Sequence, residues 1–159
     1  MSSGVPAIVS QPPGDVARCV RGAARRCYAR DMETFVRVTL FTDTDGRARF
    51  GADALALDQG TPQARLSALW PSGGLQLRIS PVGFRSTFHV TQTPQWVFIL
   101  QGQMEIGLQD GSSRVFGPGQ HFYSADTLPA GATFDPAVHG HWSRQVGDEP
   151  LVTAFVRAG

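Results

Sequence analysis

From residue 35 onward the chain is built of short runs in which apolar and polar positions alternate. The first is Phe35-Val36-Arg37-Val38-Thr39-Leu40-Phe41, followed by a turn cluster, Thr42-Asp43-Thr44-Asp45-Gly46, whose Asp-Gly step tolerates positive φ. Residues 47–50 read as the return strand. Leu75, Leu77 and Ile79 then alternate with Gln76, Arg78 and Ser80 between Gly73-Gly74 and Pro81. Further strands are predicted at 86–91, 95–101, 103–109, 120–125, 141–146 and 151–157, with Gly102, Asp110-Gly111 and Gly147-Asp148 at the turns. Residues 53–65 are less regular, and no segment carries a sustained helical period. Many short strands at this spacing predict an all-β, double-sheet jelly roll.

The first 31 residues differ from the rest. They hold five Arg against two Asp, three Pro and both cysteines, Cys19 and Cys27, and show no strand-like alternation. They read as a poorly structured extension, or as residues preceding a true start at Met32, which leaves 32–159 as the folded domain. A targeting peptide is a second reading, but the continuous apolar stretch of a secretory signal is missing. A nucleic-acid arm is a third, with little aromatic interleaving to support it.

Composition narrows the chemistry. A chain of 159 residues buries about 70% of its unfolded surface, enough for one core. A net charge of +1 gives no electrostatic reason to expect nucleic acid or a membrane surface as partner. No apolar run approaches the roughly 20 residues that span a bilayer. All 14 basic residues are Arg, so Schiff-base catalysis and a lysine-anchored pyridoxal phosphate are excluded. The lack of thiols after residue 31 excludes a cysteine nucleophile, thiolate metal ligands and disulfides in the domain, and suggests a cytoplasmic location.

Two sets of spaced residues carry the remaining signal: Gly83, His89, Thr91, Gln95 and Gly102, then Gly117-Pro118-Gly119, His141 and Gln145. Their spacing resembles the two motifs of the cupin superfamily. In that family a second His stands where this chain has Thr91, a Glu where it has Gln95, and an Asn where it has Gln145. The chain is also similar to small bacterial single-domain cupins of unassigned function, through Pro94-Gln95-Trp96-Val97, Phe116-Gly117-Pro118-Gly119, Asp126-Thr127, Gly140-His141 and Val146-Gly147-Asp148-Glu149-Pro150. It departs from them at Gln120, where Asp is usual, and by an added stretch at 128–138, expected to shape the pocket mouth. The resemblance covers residues 33–157. It implies a double-stranded β-helix and a homodimer, in which strand 35–41 pairs across the interface.

The resemblance further implies that His89, Gln95 and His141 converge inside the barrel, where a cupin holds its metal. Residues i and i+2 of a strand share a face, so Thr91 accompanies His89. The expected function is binding of a small organic molecule over a degenerate metal site. His89 and His141 are the candidate catalytic bases; Gln95, Thr91, Tyr123 and Trp96 are the candidate ligand contacts. His89, Gln95 and His141 would hold at most one weakly bound divalent metal (Fe, Mn, Zn or Ni). The aromatic residues around the motifs, among them Phe84, Phe88, Phe98, Phe122, Phe134 and Trp142, supply an apolar cavity wall or plain core.

On strand 120–125, His121 and Tyr123 share one face and Phe122 and Ser124 the other. The reading taken is Phe122 and Ser124 inside and His121 at the surface; the opposite face would make His121 a further ligand. His139 reads as a loop residue. Glu105, between Met104 and Ile106, reads as solvent-exposed, and Asp126 and Asp135 as loop residues near the rim. Two other functions compete: a metal-dependent oxygenase or isomerase, and a non-catalytic dimeric scaffold.

Overall fold

Alternating β-branched, aromatic and polar residues give the chain strands and no helix over residues 34–159, which the computed structural model describes. The reading of 1–31 as an extension falls outside the described residues. No described helix is long and apolar enough to cross a membrane.

One sheet has six strands: β1 (Thr34–Thr42), β2 (Ala48–Ala56), β5 (Ser72–Ser80), β6 (Gln95–Gln101), β9 (His121–Ala125) and β11 (Leu151–Ala158), in the order β2-β1-β9-β6-β11-β5. A smaller sheet places β7 (Gln103–Gly107) between β10 (Trp142–Val146) and β8 (Ser113–Phe116). A short hairpin, β3 (Gln59–Thr61) with β4 (Ala64–Leu66), leaves the body between β2 and β5. The architecture is therefore the all-β double-sheet jelly roll that the cupin resemblance implies.

Period 2 decides what each sheet buries. Leu40, Val97, Ile99, Phe122 and Leu151 point inward from the large sheet and meet Met104, Ile106 and Phe116 from the small one. Burial of each such side chain stabilises the fold by about 1.5–3 kcal/mol. Gly102 allows the tight step from β6 to β7. Its φ is 70°, and a Cβ there would lie 2.6 Å from the Pro150 carbonyl oxygen.

Three expectations need correction. Residues 86–91 do not form a regular strand; they run beside β10 through isolated pairs, Arg85 with Arg144 and His89 with His141. Residues 113–116, for which no strand is predicted, form β8. Strand 35–41 is also not an open edge: β2 pairs along all of β1, and β9 takes its other side over Thr39–Phe41. The edges of the large sheet are β2 and β5.

Candidate functional site

His89 and His141 are joined first through their backbones. Each N–H donates to the other's carbonyl at 2.9 Å, which sets the ring centroids 4.5 Å apart. Gly140 makes this approach possible. Its φ is 79°, and a Cβ there would sit 2.1 Å from the His89 carbonyl oxygen.

Each ring is then fixed by a different partner. His89 Nδ1 lies 2.9 Å from the Thr87 carbonyl, which only accepts, so Nδ1 carries the proton. His141 Nδ1 donates to Asp126 Oδ2 at 2.6 Å, with both side chains buried. The other oxygen of Asp126 accepts from Thr91 Oγ1 at 2.7 Å and Ser124 Oγ at 3.2 Å. In both rings Nε2 is left with its lone pair. His141 is thus oriented by a carboxylate held in a buried hydroxyl network. Packing around the His89 ring pushes its pKa below the ordinary imidazole value; the Thr87 carbonyl opposes this, and the charge of His141 adds to it.

The two histidines line a cavity of about 260 Å³ between the sheets. Thr91, Gln95 and Ser124 add polar groups; Val97, Met104, Ile106, Phe122 and Phe155 form its apolar wall. Arg78 and Arg157 also face it, and among the described residues no Asp or Glu lines it. His89, Thr91, Gln95 and His141 are therefore brought together as expected. Phe122 and Ser124 are the inward residues of β9, so His121 is on the opposite face.

Trp96 and Tyr123, read as ligand contacts in the barrel, are not there. Both are on the outer face of the large sheet, because Gln95 and Val97 take the inner positions of β6 and Phe122 and Ser124 those of β9. They line a second, mostly apolar cavity of about 770 Å³ under the excursion that carries β3 and β4, with Phe35, Trp70 and Phe98. His121 lies on the same face, stacked at 4.7 Å on Phe35, so it cannot join His89 and His141 as a ligand.

Several neighbouring expectations also change. Glu105 points away from the core, as its alternation requires, yet it is only 8% exposed. Cross-strand neighbours cover it: Ser113 and Arg144 both donate to its carboxylate. The stretch 128–138 lines no part of the barrel cavity. It packs instead at the β1–β2 turn, where Val138 and the adjoining His139 approach Gly46, and against Gln109, which donates to the Pro136 carbonyl. His139 lies in a loop, and Asp135 caps that loop by accepting from the Ala137 N–H. Gln145 clamps a turn, accepting from the Gly83 N–H and donating to the carbonyls of Val146, Gly147 and Glu149.

The sequence reading put Asp126 in a loop near the rim, whereas it is fully buried, and it gave Arg78 no role. Asp126 continues the inward series Phe122, Ser124, so that series would have placed it inside once the inward face of β9 was chosen. Arg78 lies on the polar face of an alternating strand, and nothing in the alternation shows that this face turns inward.

The fold family would place a divalent metal on these residues. The donors are two neutral imidazole nitrogens and the Gln95 amide oxygen, with two guanidinium groups in the same wall. Such a set compensates a dication poorly, and among the described residues no three His, Cys, Asp or Glu side chains are arranged to hold a metal ion.

No protein-family model and no curated protein matches the chain. Solved cupin-domain structures do resemble it. The DMSP lyase DddQ from Ruegeria pomeroyi DSS-3 matches at 18% identity and a TM-score of 0.37, over 80% of this chain and 47% of its own, so the chain spans about half of DddQ. The cupin domain of Schizosaccharomyces pombe Cnp3 matches at 12% identity and 0.39, over 79% and 83%. A Cupin_2 domain of an XRE family transcriptional regulator from Enterobacter cloacae matches at 16% and 0.34, over 80% and 97%. At these identities and TM-scores, what those proteins bind or convert does not transfer to this chain.

Proposed function

We propose that the barrel cavity binds a small organic molecule, which His89 and His141 engage through Nε2. The observation that supports this reading is the fixed tautomer of both rings. Thr87 and Asp126 hold the two Nδ1 protons, so two adjacent acceptors face one partly apolar cavity. A ligand donor placed there meets a preorganised base, and the carboxylate behind His141 stabilises the imidazolium that proton transfer would form. Metal is not required for this role, and the protein purified without chelator should carry it only substoichiometrically.

A methyl-resolved NMR screen of the full chain against small organic molecules tests the proposal. Binders should shift Met104, Ile106 and Val97, and His89→Ala should weaken them. Binders that shift only residues around Trp96 would refute it.

Self-association belongs to the same reading, through the outer face of the large sheet. Leu75, Leu77 and Ile79 are 66%, 64% and 73% exposed on the edge strand β5. Sedimentation equilibrium should give a dimer that Leu77→Glu disrupts; an unaltered monomer would contradict it.

A further inference from the structure

On β5 the apolar side chains face outward, and Arg78 and Ser80 take the inner positions. The Arg78 guanidinium lies over the rings of Phe84 and Phe155, at 5.3 and 4.9 Å from their centroids. Its Nε and Nη2 are closed off from solvent and, among the described residues, have no hydrogen-bond partner. Burial alone pushes its pKa below the ordinary guanidinium value, with no carboxylate near enough to offset it. The cross-strand neighbour of Arg78 is Thr153, which is fully buried and whose Oγ1 also lacks a partner. Arg78 is part of the cavity lining and Thr153 lies behind it, so a cation with unpaired N–H groups stands in the cavity wall, although buried polar groups are normally paired.

A half-buried guanidinium with two nitrogens closed off from water is costly unless an anion compensates it. Among the described residues no acid lines the cavity, so the counter-charge is one that a ligand can bring. We infer that the small molecule is a carboxylic acid, its carboxylate paired with the Arg78 guanidinium in the cavity wall and an O–H or N–H donor elsewhere in it reaching Nε2 of His89 or His141. Planarity favours a carboxylate over a phosphate. The guanidinium packed on two aromatic rings accepts a planar anion edge to edge, whereas a tetrahedral anion pushes oxygens out of that plane toward the ring faces. The apolar wall between the cationic and imidazole ends suits a short hydrocarbon body.

This inference rests on the barrel being the binding site, and the test separates the two. The full chain is titrated with lactate, mandelate and 4-hydroxybenzoate, with the primary amide of each, and with inorganic phosphate. The arginine Nε–H resonances and the Met104 methyl are followed by NMR. At least one acid should bind about tenfold or more tighter than its amide and move both the Arg78 Nε–H and Met104. Arg78→Gln should abolish that preference while amide binding persists. Arg78→Lys, which keeps the charge but loses the fork, should retain part of it. If Arg78→Gln does not fold, the acid-to-amide ratio in the unsubstituted chain and the Arg78→Lys result decide. Equal binding of acids and amides in the barrel would overturn the acid and leave the barrel reading standing. Phosphate binding as tightly as the acids, or no acid binding, would overturn the carboxylate. Acids that shift only residues around Trp96 would overturn both.

Discussion

His141 donates a hydrogen bond from Nδ1–H to the Asp126 carboxylate at 2.6 Å, with the two side chains 6% and 0% exposed. A buried pair of this kind is costly to break from one side, because the remaining group keeps its desolvation and loses its partner. His141→Ala and Asp126→Ala should each lower the unfolding free energy by roughly 3 kcal/mol. Asp126→Asn keeps shape and hydrogen-bonding capacity and should cost about 1–2 kcal/mol. Urea unfolding measures all three, and values near zero would show that the pair is not part of the folded framework.

His89 is the contrasting case. It is exposed, and its ring is held only by the Thr87 carbonyl. His89→Ala should therefore change stability by no more than roughly 0.5–1 kcal/mol. It still removes one of the two acceptors facing the cavity, so ligand affinity should fall while the urea midpoint stays put. If both moved together, His89 would be part of the structural framework.

The different fates of these residues also explain what the sequence made legible. Strand existence follows from alternation, and most of the strands were read correctly from it. Alternation does not say which face is inside. Leu75, Leu77 and Ile79 identify β5 but turn outward, and the inner Arg78 stayed invisible until its neighbours on β11 were known. His89, Gln95 and His141 were found because their spacing matched a motif frame. Trp96 and Tyr123 were misplaced because each lies one residue from an inward position. Glu105 was assigned the correct face with the wrong exposure, since its cover comes from β8 and β10, strands whose register no local pattern reports.

Gly140 carries the geometry of the site in its backbone. Alanine there would have to hold a left-handed φ of 79° with its Cβ 2.1 Å from the His89 carbonyl oxygen. Neither is tolerable without breaking the reciprocal pair between His89 and His141. Gly140→Ala should destabilise by about 3 kcal/mol or more, and the His89 and His141 amides should lose hydrogen-exchange protection. Preserved protection in a folded Gly140→Ala variant would mean that the loop before His141 relaxes without disturbing the pair.

His121 gives the fold a dependence on pH that is independent of the barrel cavity. Its ring is stacked on Phe35 and flanked by Trp96 and Phe98, and its Nε2 is closed off from solvent with no partner among the described residues. Removal from water pushes its pKa below the ordinary imidazole value, and the Val36 backbone opposes this in part. The folded pKa is therefore lower than the unfolded one. Above the unfolded value, about 6.5, both states are neutral and stability is complete; as pH falls below it the unfolded chain takes up the proton first, and stability declines. Asp43, Asp53 and Asp110, held below the ordinary carboxylate value by hydrogen bonds and by Arg49 or Arg37, lose their contributions only at lower pH. Between about pH 7.5 and about pH 5.5 the slope therefore belongs to the histidines, with His89 adding to His121 in the same direction. His121→Phe, which suits the aromatic surroundings, should show a smaller loss of urea midpoint across that interval than the unsubstituted chain. An equal loss in the two proteins would free His121 of any part in the slope.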